Sequence, residues 1–358
     1  MICCKEYYKD SEIRAAIEMV GHKGDCPICG PENTWLYDSE IDADKTNVGE
    51  LLDSILELYV PDSELPISYP EEEKRPIEEQ LLKNWDIFAG TSDSVKRIVE
   101  EYVDDSLDLD SKIIVEKVGI PQLFDESFLS DFSIMGTHSR NEFKKYLRNE
   151  NRFHGQYINL MVLEPVLKET EISIPEGTKF FRARVSNEKG YSRKEMWAPP
   201  DDVASPGRAN SKGQSCLYLS SHKKTTVKEI RARAFDYVTI ATFQLNRDIK
   251  VLDLSSILHG SPFYADSDKV KYLLNEGALR QIQNDLAKPM SRLDSDLDYL
   301  PTQYISDFAK YLGYDGVKYF STFDKNSYNV ALFDSSACNC IYHRNFLIGD
   351  LDYKMSAV

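Results

Sequence analysis

Positive charge is in short supply: 43 lysines and arginines face 59 aspartates and glutamates, for a formal net charge of −16. General nucleic-acid binders are normally basic, so that class is not expected. Long apolar runs are missing too. No stretch approaches the about 20 apolar residues that cross a bilayer, and no signal peptide precedes the charged start, so neither a membrane nor a secreted protein is expected. Cysteines are seven in number and split between the two ends of the chain. An odd, divided set is no disulfide framework, which points to a reducing cytoplasm.

What is present is the composition of an ordinary globular protein, and 358 residues suggest two or three domains. Cys3, Cys4, Cys26 and Cys29 fall in the first thirty residues. Cys26-Pro27-Ile28-Cys29-Gly30 is a knuckle whose small loop lets two thiolates face one structural zinc. The remaining ligands are Cys4 with either Cys3 or His22; the partner at CxxC spacing from Cys4 is Tyr7, not a cysteine. Reduced, buried cysteines are the alternative.

Amphipathic spacing predicts helices over Glu12 to Val20, Val48 to Tyr59, Ile77 to Phe88, Ser94 to Val103, Ser139 to Leu147 and Gln156 to Leu163. Between them, Pro61 to Pro76 holds four prolines and an acidic run, and reads as an exposed loop or linker. Arg148 and His154 have the loose spacing of some helical ribonucleases, but such a pair is expected about once by chance, and a helix-end cap is favoured.

Near Pro165 the pattern changes to short strands. Phe180-Phe181-Arg182-Ala183-Arg184-Val185 reads as a strand with Phe181, Ala183 and Val185 on one face and Arg182 and Arg184 on the other. Two arginines there are costly unless something anionic meets them. Arg193, Lys194, Arg208 and Lys212 add to a local basic enrichment that suits a small anionic ligand such as a dinucleotide, or else a solvated surface. A turn-rich loop, Ser205 to Gly213, leads to a strand at Cys216 to Ser220. A helix is expected to start at Thr225-Thr226, with Glu229 in its first turn. Strands follow at Val238 to Leu245, Lys250 to Leu254, Val317 to Phe320 and Tyr328 to Phe333, with helices at Ser267 to Leu286 and Ile305 to Leu312.

The series Phe181-Arg182, Gly207-Arg208-Ala209-Asn210, Leu217-Tyr218-Leu219, Thr225 to Glu229, Thr302-Gln303, Gly313 to Ser321 and Asn329 to Phe333 resembles the RES domain of bacterial toxins that consume NAD+. The cysteine-rich start resembles the N-terminal cysteine-rich segment that many RES proteins carry together with a HEPN-type helical region. The resemblance implies an α+β protein. Residues 1–45 would form a cysteine-rich segment with a candidate zinc site, 46–164 a HEPN-like helical domain, and 165–358 a RES domain with the split β-sheet core of ADP-ribosyltransferases.

It also implies an NAD+ glycohydrolase acting as a toxin or defence effector, with NAD+ as substrate and a cognate antitoxin or regulatory protein as partner. The alternatives are an ADP-ribosyltransferase with a macromolecular acceptor and a non-catalytic interaction protein. Glu229 is the carboxylate the resemblance puts beside the ribose hydroxyls; an i,i+4 pair with Arg233 is the plainer role. Arg182 and Arg208 carry over as dinucleotide contacts, Asn210 as loop support or ligand contact, and Tyr218 as a nicotinamide contact or a core residue. Ser321 would orient the glutamate or the ribose, since no histidine is placed to activate it as a nucleophile.

Overall fold

The computed structural model describes residues 1–20, 22–42, 47–105, 110–151, 157–256, 261–263, 268–288 and 296–349. His154 lies outside them. Two compact units divide the chain: Met1–Thr137 with Gly260–Gly277, and His138–His259 with Ala278–Val358. No helix among the described residues is long and apolar enough to cross a membrane.

The first unit is mostly helical. Its helix Ser11–Val20 buries Ile13, Ala16 and Ile17, one stripe at helical spacing, and Asp10 caps its start by accepting from the Glu12 and Ile13 amides. Helices Val48–Leu56, Ile77–Asn84 and Ser92–Asp105 bury Leu52, Ile55, Leu81, Val95, Ile98 and Val99 in the same core. Two small sheets join them. Ile2–Cys4, Thr34–Asp38 and Lys23–Gly24 form one; Val60–Pro61 and Val118–Gly119 form the other.

The proline-rich stretch is not a free linker. Arg75 and Val118 exchange backbone hydrogen bonds, Tyr69 is buried against Gly119, and Gln80 Nε2 donates to the carbonyls of Glu73 and Val118. Prolines and acids predicted exposure, and Ile67 is indeed exposed, but the ends are held by contacts distant in sequence.

The second unit is built on eight strands: β1 (Glu171–Ile174), β2 (Lys179–Ser186), β3 (Leu217–Ser220), β4 (Tyr237–Leu245), β5 (Ile249–Asp253), β6 (Gly316–Ser321), β7 (Asp324–Leu332) and β8 (Cys338–Leu347). Among the described residues they form one mixed sheet in the order β8-β4-β2-β3-β7-β6-β5-β1, parallel only between β5 and β6. Phe180, Leu217, Leu219, Phe243, Val330 and Leu332 pack a core on one face.

Cohesion along the sheet is uneven. β2 pairs with β4 over eight residues but with β3 only through Phe181 and Ser220, so the sheet nearly divides at that junction. Helix α1 (Lys223–Glu229) follows β3, and Thr226 Oγ1 accepts from the Ala183 amide at 3.1 Å, satisfying a β2 donor that β3 leaves unpaired.

Two expectations are corrected here. Helix Leu160–Glu169 runs through Pro165, so the strands begin later than the proline suggested. One lost amide donor is tolerated there because Leu163 and Leu167 are fully buried on either side. Helix α1 starts two residues before Thr225 and is short, so Glu229 is its last residue rather than part of its first turn.

Candidate active site

Strand alternation assembles one wall of a cleft. Residues directly opposite in an antiparallel pair share a face, and so do residues two apart. The register pairs Tyr319 with Asn329 and Asn329 with Ser220. Tyr218 and Ser321 lie two residues from Ser220 and Tyr319, hence on the same face. Across β3, β7 and β6 this gives Tyr218, Ser220, Asn329, Tyr319 and Ser321 in one polar patch, opposite the apolar face of Leu217, Leu219, Val330 and Leu332.

Glu229 descends onto that patch from the end of α1. Its Oε1 accepts from Ser321 Oγ and from Asn329 Nδ2, each at 2.8 Å. Oε2 has no partner among the described residues. Ser321 Oγ itself accepts from the Phe323 amide at 3.2 Å, which turns its proton toward the carboxylate. The open cleft beside it has a volume of about 320 Å³, within the size range of ligand sites, and is lined by Arg182, Arg208, Tyr218, Ser220, Glu229 and Arg231 among others.

Arg182 enters from β2 at the near-division of the sheet. One guanidinium nitrogen, Nη1, reaches the Tyr218 carbonyl at 3.4 Å, while Nε is buried with no partner among the described residues. Burial, with Arg184 nearby, pulls its pKa down to about 10. Ser220 Oγ is a second buried, unpartnered atom on the cleft wall. Unpaired buried donors at a concave surface call for a ligand that accepts. Arg184 points elsewhere: Nη1 donates to the Glu195 carbonyl and the guanidinium lies 4.3 Å over Tyr191.

Arg208 is carried by a loop with its own scaffold. Tyr218 Oη donates to Asn210 Oδ1 at 2.7 Å and accepts from the Ala209 amide at 2.9 Å. Burial holds the phenol well above its ordinary pKa, so it stays protonated for that bond. Asn210 Nδ2 donates to the carbonyls of Ser205, Ser211 and Gln214, and the residue is not among those lining the cleft. Behind the loop, helix α2 (Leu300–Tyr311) presents Gln303, whose Nε2 donates to the Gly207 and Asn210 carbonyls at 2.8 and 3.0 Å. Arg208 Nη1 donates to the Leu286 carbonyl at 2.7 Å.

Gly207 is required by a close approach. A Cβ there would sit 2.5 Å from Tyr218 Oη and 2.6 Å from Asn210 Oδ1. Gly207→Ala is expected to cost about 1–3 kcal/mol through this overpacking. At roughly 2–4 °C per kcal/mol for a domain of this size, thermal melting should detect it. An unshifted melting temperature would show that the loop yields.

Residues 179–353 match the RES domain family. The match supports a RES domain protein and takes in β2 through β8 and every cleft residue named above. No curated protein matches the chain.

Of the residues singled out in the sequence, the second unit brings Arg182, Arg208, Tyr218, Glu229 and Ser321 to one cleft. The fold adds Asn329 and Tyr319 to the cleft and sets Gln303 behind the Arg208 loop; all three stood in matched stretches, but none was selected as a site residue. Asn329 stood inside a matched stretch, but its role depends on a strand register that only the folded sheet defines.

In the first unit, Cys4, Cys26 and Cys29 form a cluster whose sulfurs all lie within 4.8 Å of one another. Cys4 Sγ is 3.2 Å from Cys29 Sγ, which is 3.5 Å from Cys26 Sγ. Cys3 and His22 lie outside the cluster. Successive strand residues face opposite ways, so Cys3 points into the core, 3.6 Å from Tyr8 Oη, its pKa raised to about 12 by burial. His22 Nδ1 faces Asp42 Oδ2 at 3.4 Å. Three close thiols on a knuckle and a strand fit a soft divalent ion such as zinc.

Proposed function

We propose that the protein cleaves the nicotinamide–ribose bond of NAD+, with water as acceptor, and acts as a toxin or defence effector. RES domains are associated with NAD+-related toxin activity. One observation carries the reading: a carboxylate oriented by two hydrogen bonds shares a cleft with buried arginine and serine atoms that have no partner among the described residues. The near-division of the sheet between β2 and β3 supports the kinship with ADP-ribosyltransferases.

The chemistry divides between charges. As the glycosidic bond breaks, its electron pair leaves with nicotinamide, which departs neutral, and the positive charge passes to the ribose. Water then adds to the sugar and gives up a proton, yielding ADP-ribose. Glu229 supplies the fixed negative charge for that cationic sugar, and its free Oε2 is available to accept from ribose hydroxyls. Ser321 and Asn329 hold the carboxylate, and Arg182 and Arg208 take the phosphates. Cells would hold such an activity in check with a cognate antitoxin. We further assign residues 1–45 to a cysteine-rich segment, 46–164 to a HEPN-like helical region and 165–358 to the catalytic domain.

Purified protein incubated with NAD+ alone tests the reaction, and free nicotinamide is the expected product. Nicotinamide release that requires a macromolecule, with ADP-ribose ending up on it, would move the protein to the transferase reading. Arg182 offers a second test. A buried cation lacking an anionic partner costs stability until a ligand arrives. Arg182→Met keeps the stem and removes the charge, so the variant should melt no lower than the parent. Its affinity for NAD+ should fall by about tenfold or more, as loss of a contact between charged groups worth ~1.5–3 kcal/mol implies. Unchanged affinity would remove Arg182 from the site.

A further inference from the structure

Helix α1 ends abruptly. Glu229 is its last residue, Ile230 caps it, and Arg231 follows in the left-handed region at φ 52°, its amide donating to the Lys228 carbonyl at 3.0 Å. Glycine is the usual occupant of this position, because a Cβ there costs free energy that glycine avoids. An arginine is a poor choice for the turn itself. Strained backbone of this kind, where it occurs beside a site, directs attention to what the side chain does.

The Arg231 side chain is exposed, lines the cleft two residues from Glu229, and has no hydrogen bond or ion pair among the described residues. The cleft's other arginines are partly engaged by carbonyls, Arg182 with Tyr218 and Arg208 with Leu286. Three guanidinium groups thus line a cleft in which Glu229 is the one acidic residue. That excess suits a ligand carrying two adjacent negative charges at one end and a cationic centre at the carboxylate.

We propose that Arg231 is the outer phosphate-binding residue of this cleft and closes on the pyrophosphate of a dinucleotide or nucleoside diphosphate. The inference rests on the NAD+ reading but is tested apart from it. Because Arg231 is the cleft cation whose donors have no partner among the described residues, it forms bidentate bonds to phosphate without breaking a contact to them. Its place at the helix end fixes the stem next to the carboxylate that acts on the ribose, so phosphate and sugar are gripped by one short segment.

Arg231→Gly makes the decisive variant, since glycine fits the left-handed turn better than arginine does. With ADP as probe, calorimetric titration of the full-length chain should show about tenfold weaker binding by Arg231→Gly. The same variant should melt at or above the parent's temperature. Arg231→Asn, another residue tolerant of this conformation, should bind as weakly, and Arg231→Lys should recover part of the loss. A role in the turn or at the helix end alone predicts the opposite pattern, with glycine binding ADP as the parent does. Equal binding by Arg231→Gly, or no ADP binding by the parent, overturns the proposal. ADP binding that depends on Arg231, in a parent chain that releases no nicotinamide from NAD+, upholds it and defeats the hydrolase reading instead.

Discussion

Glu229→Gln should bind NAD+ about as well as the parent chain and release nicotinamide about 10²–10³ times more slowly, the usual effect of losing a preorganised charge aimed at the transition state. The substitution preserves the geometry. An amide oxygen can accept the bonds that Ser321 Oγ and Asn329 Nδ2 now donate to Oε1, leaving the amide nitrogen where Oε2 stands. What disappears is the charge. Because Glu229 closes helix α1 rather than opening it, the helix dipole works against a negative charge there. The two donors on Oε1 hold the carboxylate in place. Ser321→Ala and Asn329→Ala should each lower turnover by less than Glu229→Gln, since one donor remains in either case. Cells harmed by the parent chain should tolerate Glu229→Gln. Full activity in that variant would take the carboxylate out of the mechanism.

How much of this site was legible beforehand follows from which interactions are local. Tyr218 and Ser220 share a face, as do Tyr319 and Ser321, because strand period alone decides it. The helical stripe of Ile13, Ala16 and Ile17 is equally local. Register is not. That Asn329 stands opposite both Tyr319 and Ser220 depends on which strands neighbour each other in an eight-stranded sheet, where β3 pairs with β7, more than a hundred residues away. The displaced helix start has the same origin. Thr225 and Thr226 have the residue type of an N-cap, but Thr225 is buried and Thr226 spends its hydroxyl on the Ala183 amide of a separate strand. A tertiary hydrogen bond thus outbid a local preference, and Glu229 moved from the first turn to the last. In the first unit, the acidic, proline-rich stretch read as a linker for the same reason: its hold on Val118 lies far along the chain.

The cysteine cluster leads to the second large effect. Without a metal, three thiols within 4.8 Å gain little from one another, because a thiol is a weak donor and a weak acceptor. As thiolates on one zinc at about 2.3 Å each, their sulfurs would stand about 3.8 Å apart, close to the 3.2 and 3.5 Å separations found here. Bound to one ion, the three cysteines would tie the strand Ile2–Cys4 to the loop at Cys26 and Cys29, segments otherwise joined across the small sheet through Thr34–Asp38. Metal binding is then folding energy for the first unit. Full-length protein made without affinity-tag histidines should contain about one zinc per chain, as one tetrahedral site requires. A strong chelator should lower the unfolding temperature by roughly 10 °C or more, well below the effect on a bare zinc peptide because the unit retains its helical core. Two variants separate the ligands from the bystander. Cys29→Ser should lose the metal and melt early, whereas Cys3→Ala, whose thiol faces Tyr8, should keep zinc at full stoichiometry while giving up some packing. Should the parent chain contain no metal, and Cys29→Ser melt with it, the cluster is three packed thiols and nothing more.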